Sequence, residues 1–142
     1  MGKVRVLGTT QEAIHAAETQ LGLPLPKSFA DWLLANNGRA LGALVVLPVF
    51  DGRDPRKTWD SIVRYFQGGW QRWQENFGDR PEGCSRLLPF AEFGTGDCYC
   101  FDYATLGETG EPVVVLWSHE TGQASVVADS YAAFLASPDR PG

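Results

Sequence analysis

The sequence predicts an α+β fold: a single domain with an antiparallel sheet of about five strands and helices packed chiefly on one face. Three observations predict it. Leu21–Gly38, LGLPLPKSFADWLLANNG, joins two helical segments across a proline-set turn and stops at Asn37-Gly38. From Leu87 onward the helical spacing gives way to short β-rich runs separated by Gly-containing turns. The chain has 142 residues, enough for one domain to bury a core without disulfide or metal staples.

Thr9-Thr10-Gln11-Glu12 fits a capping box, so a first helix is expected from Thr9 or Thr10, with Ile14, Ala17 and Leu21 on one face. Gly22 can end it in the left-handed conformation, and Pro24 forbids its continuation. Pro26 restarts a helix where a missing N–H costs nothing, and Phe29, Trp32 and Leu33 follow at helical spacing, with Trp32 expected in the core. Leu44–Phe50, LVVLPVF, reads as a strand over Leu44–Val49, with Pro48 marking a sheet edge or a strand end. After a polar loop, Trp59, Ile62, Val63, Phe66, Trp70, Trp73 and Phe77 recur at the spacing of a buried helix stripe. Gly68-Gly69 interrupts them, so two short helices or one kinked helix are expected.

Beyond the loop Gly78–Arg86, strands are expected at Leu87–Phe93, Cys98–Tyr103, Pro112–Ser118 and Ala124–Ala128, as an antiparallel meander. Val113–Trp117 is apolar on both faces, which suits a central strand. Asp129-Ser130 can cap a last helix carrying Tyr131, Phe134 and Leu135.

The charge is unevenly spread. Residues 1–86 hold nine acids and eleven bases, whereas Leu87–Asp139 hold eight acids and no Lys or Arg. Such a block repels nucleic acid and attracts cationic partners. The start, MGKVRVLGTTQEA, lacks an apolar run long enough for a signal peptide, and no stretch approaches a membrane span, so a cytoplasmic protein is expected. Met1-Gly2 opens a myristoylation pattern, but Val6 stands where Ser or Thr is needed. Cys84, Cys98 and Cys100 are an odd set without a secretion signal, which favours reduced thiols. Cys98-x-Cys100 is half of a metal pattern with no second pair at ligand spacing, and we read both as buried structural thiols. Neither a metal nor another cofactor is expected.

Three patterns invite a chemical reading. His119-Glu120 with Asp97 could supply a general base and its orienting carboxylate, but His119 sits where a strand yields to Thr121-Gly122, and a turn residue making local hydrogen bonds is the plainer reading. Gly94-Thr95-Gly96-Asp97 lacks the Lys and following helix of a phosphate loop and reads as a hairpin turn. The Leu21–Gly38 corner resembles a DNA-binding helix pair, yet Phe29–Asn37 offers Asp31 and no base to meet phosphates.

Ile14, Glu18, Leu21, Gly22, Leu25, Pro26, Ser28, Phe29, Trp32, Leu33, Asn37 and Gly38 together match an I-x3-E-x2-LG-x-LP pattern running on to a closing NG. Leu88–Ala91 into Gly94, Gly96 and Asp97, the Pro112-Val113-Val114 strand, His119-Glu120, and Ser130 through Leu135 extend that match. The chain thereby resembles the SUKH superfamily, the Smi/Knr-type domain of yeast cell-wall-assembly regulators and bacterial toxin-immunity proteins. Leu41–Trp73 carries no part of the resemblance. It implies a non-enzymatic protein-binding module, foremost an immunity protein that neutralises a cognate polymorphic toxin, such as a nuclease; a regulatory scaffold or adaptor is the alternative. A nuclease holds phosphate in a basic groove, so the expected partner is a protein with a basic surface rather than nucleic acid or membrane. Glu92, Asp97, Asp102 and Glu120 are the residues expected to meet it.

Overall fold

In the computed structural model, residues 8–39, 41, 44–56, 58–75, 87–92 and 96–136 are described, 73 and 74 by backbone alone. Helix α1 (Gln11–Leu21) starts at Thr10, whose Oγ1 accepts the Ala13 N–H at 3.2 Å. The expected capping box does not close. With Thr10 as the cap, Glu12 falls one position short of the reciprocal site, and Thr9 instead donates to Asp51 Oδ2 at 2.8 Å. Gly22 ends the helix at φ 72°. Glu18 then reaches over the turn, its Oε2 accepting the Leu25 N–H at 2.7 Å, while the Tyr103 hydroxyl donates to the Pro24 carbonyl at 2.6 Å.

Helix α2 (Lys27–Asn36) follows Pro26 without a side-chain cap from its own preceding residue. A distant residue serves instead: Glu111 accepts from the Ser28 hydroxyl at 2.6 Å and from its N–H at 3.3 Å. An acidic side chain there answers one of the free amides and faces the positive end of the helix dipole.

The sheet is antiparallel throughout, in the order β1-β2-β3-β4-β5, with β1 (Val45–Val46), β2 (Leu87–Glu92), β3 (Cys98–Leu106), β4 (Pro112–Trp117) and β5 (Ala124–Ala128). Only two residues of the expected Leu44–Val49 strand pair as β1. The reason is local chemistry. Pro48 has no N–H to give, its carbonyl accepts from Ile62, and the polar groups of Val49 are taken by Asn37. Phe93, Gly94 and Thr95 of the expected hairpin turn, and residues 76–86 with Phe77, Cys84 and the expected loop Gly78–Arg86, lie outside the described residues.

Cross-strand partners divide the sheet into two faces. Phe90, Tyr99, Phe101 and Val114 face the main core with α1, α2 and α5 (Tyr131–Ala136); Phe29 lies at its centre, edge-on to Phe101 at 5.2 Å and to Tyr131 at 4.9 Å. Leu87, Cys98, Cys100, Val113, Val115 and Trp117 face the other side. The aromatic stripe is split between them. Ile62 and Val63 of α3 (Ile62–Gln67) enter the main core, whereas Trp70 of α4 (Gly69–Glu75) packs on Trp117 across the sheet. The break at Gly68, φ −116° and ψ −88°, redirects the chain between the two, as the Gly pair foretold. Trp59 falls before Ser61, which caps α3, and so stays 55% exposed rather than joining the stripe. Trp32 is half-buried rather than in the core: it borders the cluster edge-on to Tyr131, at 5.9 Å.

Candidate functional site

The four expected contact residues divide by position. Glu92 ends β2 opposite Cys98, Asp97 leads into β3, and Glu120 lies in the turn after β4, whose Trp117 is also opposite Cys98. These three therefore occupy one end of the sheet. Asp102 pairs with Leu87 and Val113 toward the other end, where its Oδ1 accepts the Ala104 N–H at 2.9 Å.

Their surroundings differ as much as their positions. Asp97 Oδ1 accepts the main-chain N–H of His119 at 3.0 Å and lies 2.6 Å from its ring Nδ1. The backbone N–H, foremost, and the ring hold its carboxyl below the usual carboxylate range against the opposing effect of burial. Glu92 is half-buried, and burial, helped by the nearby charge of Asp60, pushes its carboxyl up. Glu120 is exposed, its N–H donating to Ser118 Oγ at 3.2 Å.

Two of the three groups in the catalytic-looking set are thus in contact. The use of that contact is visible in its geometry. One carboxylate oxygen takes both the backbone and the ring of His119, which ties the β4–β5 turn to the start of β3. Two depressions among the described residues are lined by neither Asp97 nor His119. One, of about 770 Å³, has Val45, Tyr65, Arg64, Arg72 and Glu92 in its wall; another, of about 370 Å³, is bounded by Ala13, Ala17, Phe50, Trp59 and Arg64. Among the described residues, no three His, Cys, Asp or Glu side chains gather where they could hold a metal ion, and no helix is long and apolar enough to cross a membrane.

Sequence reasoning missed the surface around Trp59. Arg64 stacks over its ring at 4.8 Å, and Phe50 beside it is 46% exposed. The signal was present in Ser61-x-x-Arg64, an N-cap pattern that places Trp59 outside the helix.

Much of the acidic block has internal employment. Asp97 anchors His119, Asp102 closes a local turn, Glu111 caps α2, and Asp129 accepts the Glu108 N–H at 2.8 Å. Accepting a hydrogen bond from a neutral N–H or O–H adds no positive charge, so these contacts do not cancel the negative field of the block.

A layered α+β domain, whose motif residues Glu18, Ser28, Asn37 and Asp97 bond to its own chain, is the class of protein these observations define. The chain belongs to the SMI1 / KNR4 family (SUKH-1), whose sequence profile matches residues 8–137. A crystal structure of a protein from Pseudomonas syringae pv. tomato shares the fold, with a TM-score of 0.60 and 21% identity over 96% of this chain and 88% of that one. No curated protein matches the chain. Domains of this family are generally non-enzymatic immunity or regulatory modules that work through protein contacts.

Proposed function

We propose that this chain is an immunity protein that binds and neutralises a cognate bacterial toxin with a basic surface. Family membership supports the class of role. The observation that carries the finer reading is the base-free stretch Leu87–Asp139, which brings Glu92, Asp97 and Glu120 to one end of the sheet with no Lys or Arg among its own residues. An inhibitor presenting carboxylates competes for a groove built to hold phosphate, and long-range attraction raises the rate of encounter. Glu120 is the exposed member and the natural first contact; Glu92, Asp97 and Asp102 are half-buried and contribute chiefly through their charge.

The test is co-purification with the product of the adjacent reading frame, followed by association kinetics at low and high salt. Glu120→Lys is expected to slow association by about tenfold, with the difference shrinking as salt rises. Unchanged rates and no salt dependence would sink the electrostatic reading. Recovery of a partner without toxin activity would move the chain to the regulatory adaptor role.

A further inference from the structure

Strand β5 closes one side of the sheet and pairs with β4 alone among the described residues. Its side chains at 124–127 are all exposed, Val126 at 63% and Val127 at 43%, so the strand is covered on neither face as far as Val127, and only Ala128 packs on the main core. Edge strands normally discourage pairing with Lys, Pro or an inward charge. The run Gln123–Ala128, QASVVA, has none of these.

Charge brackets this uncharged run at both ends. The β4–β5 turn carries exposed Glu120 next to the Asp97–His119 anchor. At the far end lies exposed Asp129, which accepts the Glu108 N–H at 2.8 Å and so brings a second exposed acid beside it. A second copy of the chain would bring its own β5 with the same acids and no base between Leu87 and Asp139 to answer them. A foreign strand ending in Lys or Arg meets carboxylates at each end and β-branched side chains between them.

We infer that β5 is a strand-addition site, taking an extended segment of a cationic partner protein with β-branched residues at its centre and basic residues at its ends. The main chain supplies the hydrogen bonds, Val126 and Val127 the apolar contact, and Glu108, Glu120 and Asp129 the preference for positive charge. The inference rests on the protein-binding reading above but can fail separately from it.

The probe is a short synthetic peptide alternating valine and threonine between terminal lysines, mixed with the full chain and followed by amide hydrogen exchange. Two control peptides carry terminal glutamates or N-methyl groups along one edge. The lysine peptide is expected to add protection to those amides at 124–128 that do not bond to β4, and both controls to add none. Val126→Lys and Val127→Lys, both at exposed positions, should abolish the protection without altering the thermal midpoint. Glu108→Lys with Glu120→Lys should transfer the preference to the glutamate peptide. Absence of protection at millimolar peptide, equal binding of the glutamate peptide, or self-association of the free chain through β5 overturns the inference. If the adjacent-gene product fails to bind while the peptide still protects β5, the toxin reading falls and the strand site stands. If that product is captured but neither it nor the peptide protects β5, the strand site falls and the toxin reading stands.

Discussion

Asn37 holds both main-chain polar groups of Val49: its Oδ1 accepts the Val49 N–H at 2.9 Å, and its Nδ2 donates to the Val49 carbonyl at 3.0 Å. Asn37 is 5% exposed and Val49 not at all, so the side chain replaces a neighbouring strand for a backbone that has left the sheet. Asn37→Ala strands a buried donor and a buried acceptor together. The expected loss is about 2–4 kcal/mol, read by urea denaturation. A near-wild-type midpoint would show that solvent reaches Val49.

Acid should weaken the fold through Asp51. This carboxylate is 5% exposed and accepts from Arg53 Nη2 at 2.7 Å and Thr9 Oγ1 at 2.8 Å; the Arg53 guanidinium, foremost, holds it down to about 2. In the unfolded chain it titrates near about 4. A depressed folded value means that the stabilisation is fully present above pH ~4 and is lost as pH falls toward ~2. We expect about 1–2 kcal/mol, less than the full shift implies because Arg53 is half exposed. Asp51→Asn should be less stable at neutral pH and should lose less than wild type between those two pH values. Parallel pH profiles for the two proteins would contradict this assignment.

The two tryptophans should separate cleanly on truncation. Trp70 is 2% exposed and lies edge-on to fully buried Trp117, ring centroids 4.9 Å apart. Trp70→Ala should cost about 3–5 kcal/mol, as emptying a large aromatic site does. Half-buried Trp32 gives up less, so Trp32→Ala should cost about 1–2 kcal/mol, scaling with the apolar area removed. Denaturation of both variants checks the order, which matters more than either value.

The thiols of Cys98 and Cys100 should resist modification in the native state. Both are fully buried, and burial pushes the Cys98 thiol up to about 11, with the Tyr65 hydroxyl 3.3 Å from its sulfur. At neutral pH little thiolate exists and little reagent can reach it. Alkylation followed by peptide mapping should find both unreacted until denaturant is added. Rapid native labelling, a bridge between the two, or stoichiometric zinc in protein purified without added metal would overturn the structural role.

The helices α1 and α2, the turn between them, and the later strands were legible in the sequence because their causes are local. Thr10, Gly22, Pro26 and the alternation Tyr99–Phe101 against Cys98–Cys100 act within a few residues, where spacing alone reports the physics. The family resemblance was legible for the same reason, since its motifs are mostly such local signals. Tertiary structure decided what joins them. Glu111 caps a helix 83 residues earlier in the chain, Asp97 meets His119 across 22, and Thr9 meets Asp51 across 42. No local pattern marks such a partner, because a carboxylate serving as a cap and one awaiting a binding partner look alike until the chain folds. The same physics sent Trp70 to the opposite face of the sheet from Ile62: helical period orders side chains within a helix, but the break at Gly68 set which layer each half meets. Sequence determined which residues would be charged along Leu87–Asp139; packing determined which of those charges the fold already uses.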